Sequence, residues 1–432
     1  MTEVRYLVRL PVSELCKGMY VAEPDRPWTE VPLMFQGLEI RSDDELETLR
    51  RHCDFVYVER ERSAPEVAAA LDAAEAGDTA GAGDGADAIG DRGGDPPDVT
   101  RALGGGPTPD RERFGRSVRA AADSRAETDG VLSRVLEDAR LGRSVDTRDA
   151  RDAVGELAAR VSEDASASMW LTSLRDKDEQ ARIHSINTCV LALAFGRFAG
   201  MERDRMQRLG LAALLHDVGK VRLPDELLRK PDALTAEEWE AVKRHPQEGH
   251  DIIADSGDVP AEALAIIRDH HERIGGQGYP RGLRGSELGA DTRIVAIANA
   301  YDSLTSDRVY RAGQPADEVL QHFYNGSETL FGPKLTQAFI RCVGIFPVGS
   351  LVELDNGALG IVVGADPSER LKPAVLLVRT PDGEYYDKRV LLNLAVDPAD
   401  GGSGRHVRRA VNPAAYDIDI AGIVAMEFGV VL

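Results

Sequence analysis

Histidines and one adjacent carboxylate are concentrated in the middle of the chain, and these residue types are suited to metal chemistry. Six of the nine histidines fall between His184 and His271. At the centre of this stretch, the apolar run that starts at Leu209 ends in the adjacent pair His216 and Asp217. A helix carrying this run would bury the pair at the end of an apolar wall, where imidazole and carboxylate together suit a divalent cation. Taken alone, such a pair is more often a helix cap or a surface contact.

Further polar motifs lie on both sides of this pair in the sequence. In chain order they are His184 before an apolar helical segment, His245 before Pro246, the pair His270 and His271, the loop Gly278-Tyr279-Pro280, Asn299 and Asp302 on a later helix, and Arg308 and Arg311 just after it. A core histidine satisfied by the backbone is a reasonable explanation for any one of these imidazoles. It does not explain five of them in this order.

In this order the motifs resemble the HD-GYP family, cyclic-di-GMP phosphodiesterases within the HD phosphohydrolase superfamily. The resemblance covers residues 165–342 and implies an all-α HD-type bundle that holds two divalent metal ions. The implied metal ligands are His184, His216, Asp217, His245, His270 and His271, with Asn299 at a further position. Histidine-rich ligation favours iron, manganese or zinc over magnesium and calcium, which prefer oxygen ligands. We expect iron or manganese.

The implied chemistry is hydrolysis at phosphorus. Two cations roughly 3.5–4 Å apart can hold a shared hydroxide and stabilise both the attacking and the leaving oxygen. Asp217 would bridge the cations, and Lys220 would neutralise negative charge at the phosphorus centre. The resemblance implies that Arg308 and Arg311 bind substrate phosphate, which suits the bidentate guanidinium group. The expected reaction opens cyclic di-GMP to pGpG, GMP or both through a metal-bridging hydroxide.

The tripeptide Gly278-Tyr279-Pro280 predicts a loop at the rim of the substrate pocket. Its glycine permits unusual backbone dihedrals, whereas its proline fixes one. The resemblance implies that these residues also contact substrate and that the loop docks GGDEF-domain proteins.

Three residues depart from the family's pattern. Asn299, a neutral amide, replaces the metal-binding aspartate, so one metal position is expected to be weak or empty. Asp302 lies at i+3 on the same helix face, but the family also has an aspartate there. Gln180 stands where members with three metals carry glutamate, which favours two metals at most, and Gly275 replaces the usual aspartate of the loop.

Two alternatives stay open. One, which the change at Asn299 favours, is a catalytically weakened protein that binds nucleotide or a GGDEF-domain partner as a regulatory scaffold. The other is a hydrolase of a different cyclic dinucleotide or nucleotide.

Composition limits the other functions that the chain could have. Its 432 residues carry 52 Lys and Arg against 73 Asp and Glu, a net charge of -21, which disfavours DNA or RNA binding. The four cysteines are scattered, so neither a disulfide framework nor a zinc knuckle is expected. The sequence contains no apolar run of about 18 residues, so no membrane span is predicted. We expect a cytoplasmic protein.

The elements around the His/Asp segment predict a multidomain chain that is mainly all-α. Alternating apolar patterns and the Asn356-Gly357 turn indicate β-hairpins towards the C-terminus. The predicted segments are a small α+β domain at 1–62, a disordered acidic linker at 63–115, a helical connector at 116–168, the HD-GYP helical domain at 169–343, an antiparallel β-subdomain at 344–397 and a tail at 398–432. The first segment resembles a small domain of unknown function that often precedes HD-GYP domains.

Overall fold

A computed structural model describes most of the chain outside the predicted linker. The described residues are 7–26, 31, 37–59, 62–64, 67, 111–173, 180–228, 230, 232–306, 313–364, 371–395 and 405–428. The chain forms two compact units, Met1–Arg101 and Ala102–Leu432. Most of the predicted linker, as well as Arg308 and Arg311, lies outside the described residues.

The N-terminal unit is a small four-stranded sheet with one helix, which confirms the predicted α+β class. Its elements are β1 (Leu7–Pro11), β2 (Tyr20–Pro24), β3 (Leu38–Glu39), α1 (Asp43–His52) and β4 (Phe55–Glu59), and the strands lie in the order β1-β4-β2-β3. Ser42 caps α1, because its side chain accepts a hydrogen bond from the Glu45 amide while the Glu45 carboxylate accepts one from the Ser42 amide. Leu49 and Val58 contribute to its apolar core.

The second unit is predominantly helical, which confirms the predicted all-α bundle. Its helices up to the sheet are α2 (Arg111–Arg140), α3 (Arg148–Glu163), α4 (Ala165–Trp170), α5 (Gln180–Phe198), α6 (Arg203–Leu215), α7 (Asp225–Leu228), α8 (Ala236–Val242), α9 (His245–Ala254), α10 (Ala261–Asp269), α11 (Ala290–Thr305), α12 (Ala316–Asn325) and α13 (Pro333–Val343). Helix α2 begins at Arg111, so the last residues assigned above to the linker are helical instead. Within the described ranges, no helix is both long and apolar enough to cross a membrane.

The burial pattern of the helices follows their position in the bundle. On α2, buried Phe114, Val118 and Ala121 recur at helical spacing, as expected of a helix with one face in the core. On α5 and α6, by contrast, apolar side chains are buried on all sides, which is typical of central helices. These two helices place His184 near the start of one and His216 just past the end of the other.

A five-stranded antiparallel sheet follows the helices. Its strands are β5 (Leu351–Leu354), β6 (Leu359–Gly364), β7 (Ala374–Arg379), β8 (Leu391–Asn393) and β9 (Val407–Ala410), in the order β8-β7-β6-β5-β9, and helix α14 (Ile420–Phe428) comes last. The predicted hairpin at Asn356-Gly357 is confirmed, because β5 pairs with β6. The proposed boundary at residue 397 is wrong, since β9 from the predicted tail pairs with β5.

Candidate metal centre

The His216-Asp217 pair lies at the end of α6, as the apolar run predicts. His216 caps the helix, and Asp217 leads into a short 3-10 turn, Val218–Arg222. Both side chains are buried, because the apolar residues of α6 and its neighbours surround them. The end of α6 therefore places one imidazole and one carboxylate in the interior of the bundle.

Five of the predicted ligands join Asp217 in two groups that share this carboxylate. One group contains Asp217, His245, His270 and His271, and the other contains His184, His216 and Asp217. Within each group, the candidate ligand atoms all lie within 4.8 Å of one another. The ligand residues lie at the ends of three helices and near the start of α5. Residues distant in sequence therefore meet at one carboxylate.

Backbone carbonyl groups hold three of the imidazoles in one tautomer. In His216, His245 and His270, the Nδ1 atom lies 2.7 Å from the carbonyl oxygen three residues earlier, that of Ala213, Val242 and Ile267 respectively. A carbonyl oxygen only accepts, so each Nδ1 must donate the ring proton. Each Nε2 is left with a free lone pair, which is the form of histidine that binds metal.

The atoms at the centre lack partners that would satisfy them. Among the described residues, His216 Nε2 and Asp217 Oδ1 are buried without a hydrogen bond. His245 Nε2 lies 3.2 Å from Asp217 Oδ1 and 3.4 Å from His270 Nε2, but none of these atoms carries a proton to share. Buried polar atoms without partners are costly. A cation among them would satisfy the set, so the residues present fit a metal site.

Burial also sets the protonation states that a cation requires. It lowers the pKa of His270 and His271 well below the usual range, and neighbouring imidazoles lower both further. Burial alone would raise the pKa of Asp217, but His216 and the Lys220 ammonium group hold it well below its ordinary value. At neutral pH the His270 and His271 imidazoles are therefore neutral and the Asp217 carboxylate is charged.

His184 is oriented from its far side by a buried carboxylate. Its Nδ1 lies 2.6 Å from Asp302 Oδ2, whereas its Nε2 lies 2.9 Å from Asn299 Oδ1 and 3.8 Å from Asp217 Oδ2. Asp302 therefore contacts the ring nitrogen that faces away from the centre, and Asn299 contacts the one that faces it. Carboxylate-histidine pairs of this kind fix the tautomer of metal-binding histidines.

Lys220 lies at the edge of the centre, whereas His250 lies outside it. The Nζ atom of Lys220 contacts Asp217 Oδ2, and the lysine side chain is partly exposed at the edge of the centre. His250 pairs with Asp251 outside both ligand groups, as expected of a structural histidine.

Gly275 donates to the Thr329 carbonyl at 2.8 Å, so its backbone takes part in the loop.

The loop that contains Gly278-Tyr279-Pro280 is anchored by a carboxylate that the sequence analysis did not single out. Glu272 is fully buried, and its Oε1 accepts hydrogen bonds from the Arg281 and Gly282 amides at 2.6 and 2.9 Å. Its Oε2 accepts from the Leu283 amide at 2.9 Å. The sequence did contain a signal for this anchoring role, an acidic residue directly after the His270-His271 pair and before a glycine-rich segment. The anchored loop places the Tyr279 ring against His271, with 4.6 Å between ring centroids.

We expect Glu272→Gln to loosen this loop. A glutamine amide offers one acceptor oxygen and turns its NH₂ towards an amide donor, so at least one charge-assisted hydrogen bond is lost, worth about 1.5–3 kcal/mol. Hydrogen exchange at residues 281–283 should become roughly 10- to 100-fold faster. Glu287→Gln is the control, because Glu287 is exposed and accepts from the Arg284 amide. Equal exchange rates in wild type and Glu272→Gln would contradict the anchoring role.

We expect Gly219→Ala to damage the centre through backbone contact. A Cβ at Gly219 would lie 2.0 Å from the His245 carbonyl oxygen and 2.5 Å from the Gly249 amide nitrogen. Overpacking of this kind costs about 1–3 kcal/mol or more, so the melting temperature should fall by several degrees and metal content should drop. In Gly130→Ala, the nearest atom is the mobile end of Arg134 at 4.0 Å. Similar melting temperatures of Gly219→Ala and Gly130→Ala would refute the close approach of the backbone to Gly219.

Two domain families and several curated proteins match the chain. Residues 167–335 match the HD domain family, and residues 7–150 match a domain of unknown function, DUF3391. Over 375 residues, the chain is 33% identical to cyclic di-GMP phosphodiesterase PA4108 of Pseudomonas aeruginosa, which covers 85% of this chain and 84% of the relative.

Two other relatives each match about a third of the chain. The cyclic di-GMP phosphodiesterase response regulator RpfG of Xanthomonas campestris is 38% identical over 144 residues, 33% of this chain and 38% of the relative. The 3'3'-cGAMP-specific phosphodiesterase 3 of Vibrio cholerae is 36% identical over 137 residues, 32% of this chain and 29% of the relative.

Proposed function

The chain belongs to the HD-GYP family of metal-dependent HD phosphohydrolases, and from this we propose that it hydrolyses cyclic di-GMP at the His/Asp centre. The observation that carries the proposal is the meeting of two ligand groups on Asp217. A single carboxylate shared in this way suits two adjacent cations, for which iron or manganese is proposed. The similarity to PA4108, which spans most of both chains, supports the choice of substrate.

The residues of the centre have separate tasks in the proposed reaction. When bound, two divalent cations supply an activated water and neutralise phosphate charge. Asp217 and the imidazoles would hold the cations, and the Lys220 ammonium group would offset the negative charge that grows on the phosphoryl oxygens. In the hydrolysis, the water oxygen bonds to phosphorus, the bond between phosphorus and the ribose oxygen breaks, and a proton from the water ends on that ribose oxygen. The product is pGpG, and a second hydrolysis would give GMP.

The rim of the centre is proposed to bind the rest of the substrate. Tyr279 stacks on His271 and so covers one ligand from solvent, and Gly278 and Pro280 shape the loop on either side of it. A Cβ on Gly278 would lie 2.4 Å from the Arg273 amide nitrogen, so only glycine fits there. Arg308 and Arg311 are proposed to bind phosphate through their guanidinium groups.

Asn299 supports one alternative, a weakened enzyme that acts as a regulatory scaffold. Its amide stands 2.9 Å from His184 Nε2, where an aspartate would add a negative charge. The described part of the loop offers a surface for a GGDEF-domain partner, because Gln277, Pro280 and Arg281 are exposed while Glu272 fixes the backbone beneath them. We place either activity in the cytoplasm.

One experiment tests both the activity and the choice of substrate. Protein purified without oxygen is analysed for metal and assayed with cyclic di-GMP and with 3'3'-cGAMP. We expect bound transition metal and hydrolysis of cyclic di-GMP in preference to the mixed dinucleotide. Preference for 3'3'-cGAMP would replace the proposed substrate, and bound metal without hydrolysis of either compound would favour the scaffold.

A further inference from the structure

We infer that Arg125, on the helix that precedes the HD domain in the chain, is a positioning residue for the metal ligand His184. This inference rests on the proposed metal centre. Arg125 does not touch the centre and acts through two buried side chains between them, Asn187 and Asp302.

Three hydrogen bonds connect Arg125 with His184. Arg125 Nη1 donates to Asn187 Oδ1 at 2.7 Å, and Asn187 Nδ2 donates to Asp302 Oδ1 at 2.8 Å. The other oxygen of Asp302 lies 2.6 Å from His184 Nδ1. The direction of every bond is fixed, because a guanidinium group only donates and a carboxylate only accepts. The amide of Asn187 therefore has one orientation, and His184 keeps its proton on Nδ1.

This chain of bonds controls the nitrogen that faces the metal centre. With Nδ1 donating to Asp302, the Nε2 of His184 presents its lone pair towards Asp217 and Asn299. Asn187 and Asp302 are both buried, so loss of a hydrogen-bond partner there is costly. Burial lowers the pKa of Arg125, whereas the negative charges of Asp302 and Asp129 raise it, and arginine remains protonated at neutral pH.

A second contact between the same two helices lies on the other side of His184. Asp129, one turn after Arg125 on α2, binds the Arg182 guanidinium group at 2.9 and 3.4 Å. Arg182 precedes His184 on α5 and Asn187 follows it, so α2 holds α5 at two points that flank the ligand. Translation or rotation of α2 would therefore move the part of α5 that carries His184.

The contact also joins the two matched families. Arg125 lies within residues 7–150, which match the domain of unknown function, whereas Asn187 and Asp302 lie within the HD match. The HD segment alone therefore lacks one end of the bond network. In this protein, a residue from outside that segment completes the environment of a metal ligand.

Titration of metal-free, full-length protein with Co²⁺ tests the inference, because absorption reports ligand geometry without any substrate. If Co²⁺ binds in separate phases of the titration, the phase that is lost in His184→Ala is the one that belongs to the His184 group. We expect Arg125→Ala to weaken that phase about tenfold, the usual size for loss of a partner behind a metal ligand. The phase of the His245 group should stay unchanged, and Arg125→Lys should recover most of the affinity.

Arg134→Ala is the matched control, since Arg134 lies on the same helix and forms an exposed ion pair with Asp149 at 3.2 Å. If Arg125→Ala fails to fold, Arg125→Met keeps most of the side-chain volume and is measured instead. Wild-type affinity in the folded variant, or equal weakening of every phase, would overturn the inference. Should His184→Ala itself leave Co²⁺ binding unchanged, the proposed metal centre fails as well.

Discussion

Replacing Asp217 with asparagine is expected to release metal from the centre and to lower cyclic di-GMP hydrolysis by roughly 10²- to 10³-fold. Asp217 belongs to both ligand groups, so loss of its charge affects both. Removing one partner of a buried charge pair costs about 3–5 kcal/mol, and each 1.4 kcal/mol is a tenfold change in affinity. Metal content measured by mass spectrometry, together with the hydrolysis rate, tests the prediction.

Asp251→Asn provides the matched control for Asp217→Asn. Asp251 also pairs with a histidine, His250, but its side chain is 63% exposed and lies outside both groups. The control should keep its metal and its activity. Unchanged metal stoichiometry in Asp217→Asn would show that the centre has been misplaced.

Asn299→Asp is expected to raise both metal occupancy and turnover, most visibly when metal is limiting. The two side chains are nearly isosteric, and Asn299 Oδ1 already lies 2.9 Å from His184 Nε2 and accepts from Ser303 Oγ at 3.3 Å. A carboxylate there would attract a nearby cation, and after the cost of burial we expect about 10- to 100-fold tighter binding. Metal titration and initial rates at fixed metal concentrations measure the gain.

Asn325→Asp separates this effect from a change in net charge, because Asn325 is exposed at the end of α12. If Asn299→Asp changes neither property while wild type is fully loaded and active, the weakened-site hypothesis fails. A large gain over a nearly inert parent would instead make the scaffold the better account of the natural protein.

The sequence predicted the helical bundle from local pattern and the convergence on Asp217 from the order of the motifs along the chain. An apolar run before His216 buries whatever follows it, and the order of the histidine motifs carries the family resemblance. The backbone partners of the imidazoles are equally local, since each carbonyl group lies three residues before its histidine.

Other features depend on contacts between distant parts of the chain, which spacing does not encode. The sequence left Asp302 without an assigned partner, and only the packing of α5 against α11 brings it to His184. In the sequence, nothing distinguishes Arg125 from the other arginines of the predicted helical connector. Strand β9 was missed because its four residues, Val407–Ala410, are too short to show alternation and pair with β5 across a long separation.

The pairing of β9 also has a consequence for how the second unit unfolds. Strand β9 lies beside β5, and the ring of Phe428 on α14 packs edge-on against Phe114 at the start of α2, with 5.2 Å between centroids. The two ends of this unit are thereby fastened to each other. Fraying from either terminus must first break the same apolar contact, which favours one cooperative melting transition over stepwise peeling.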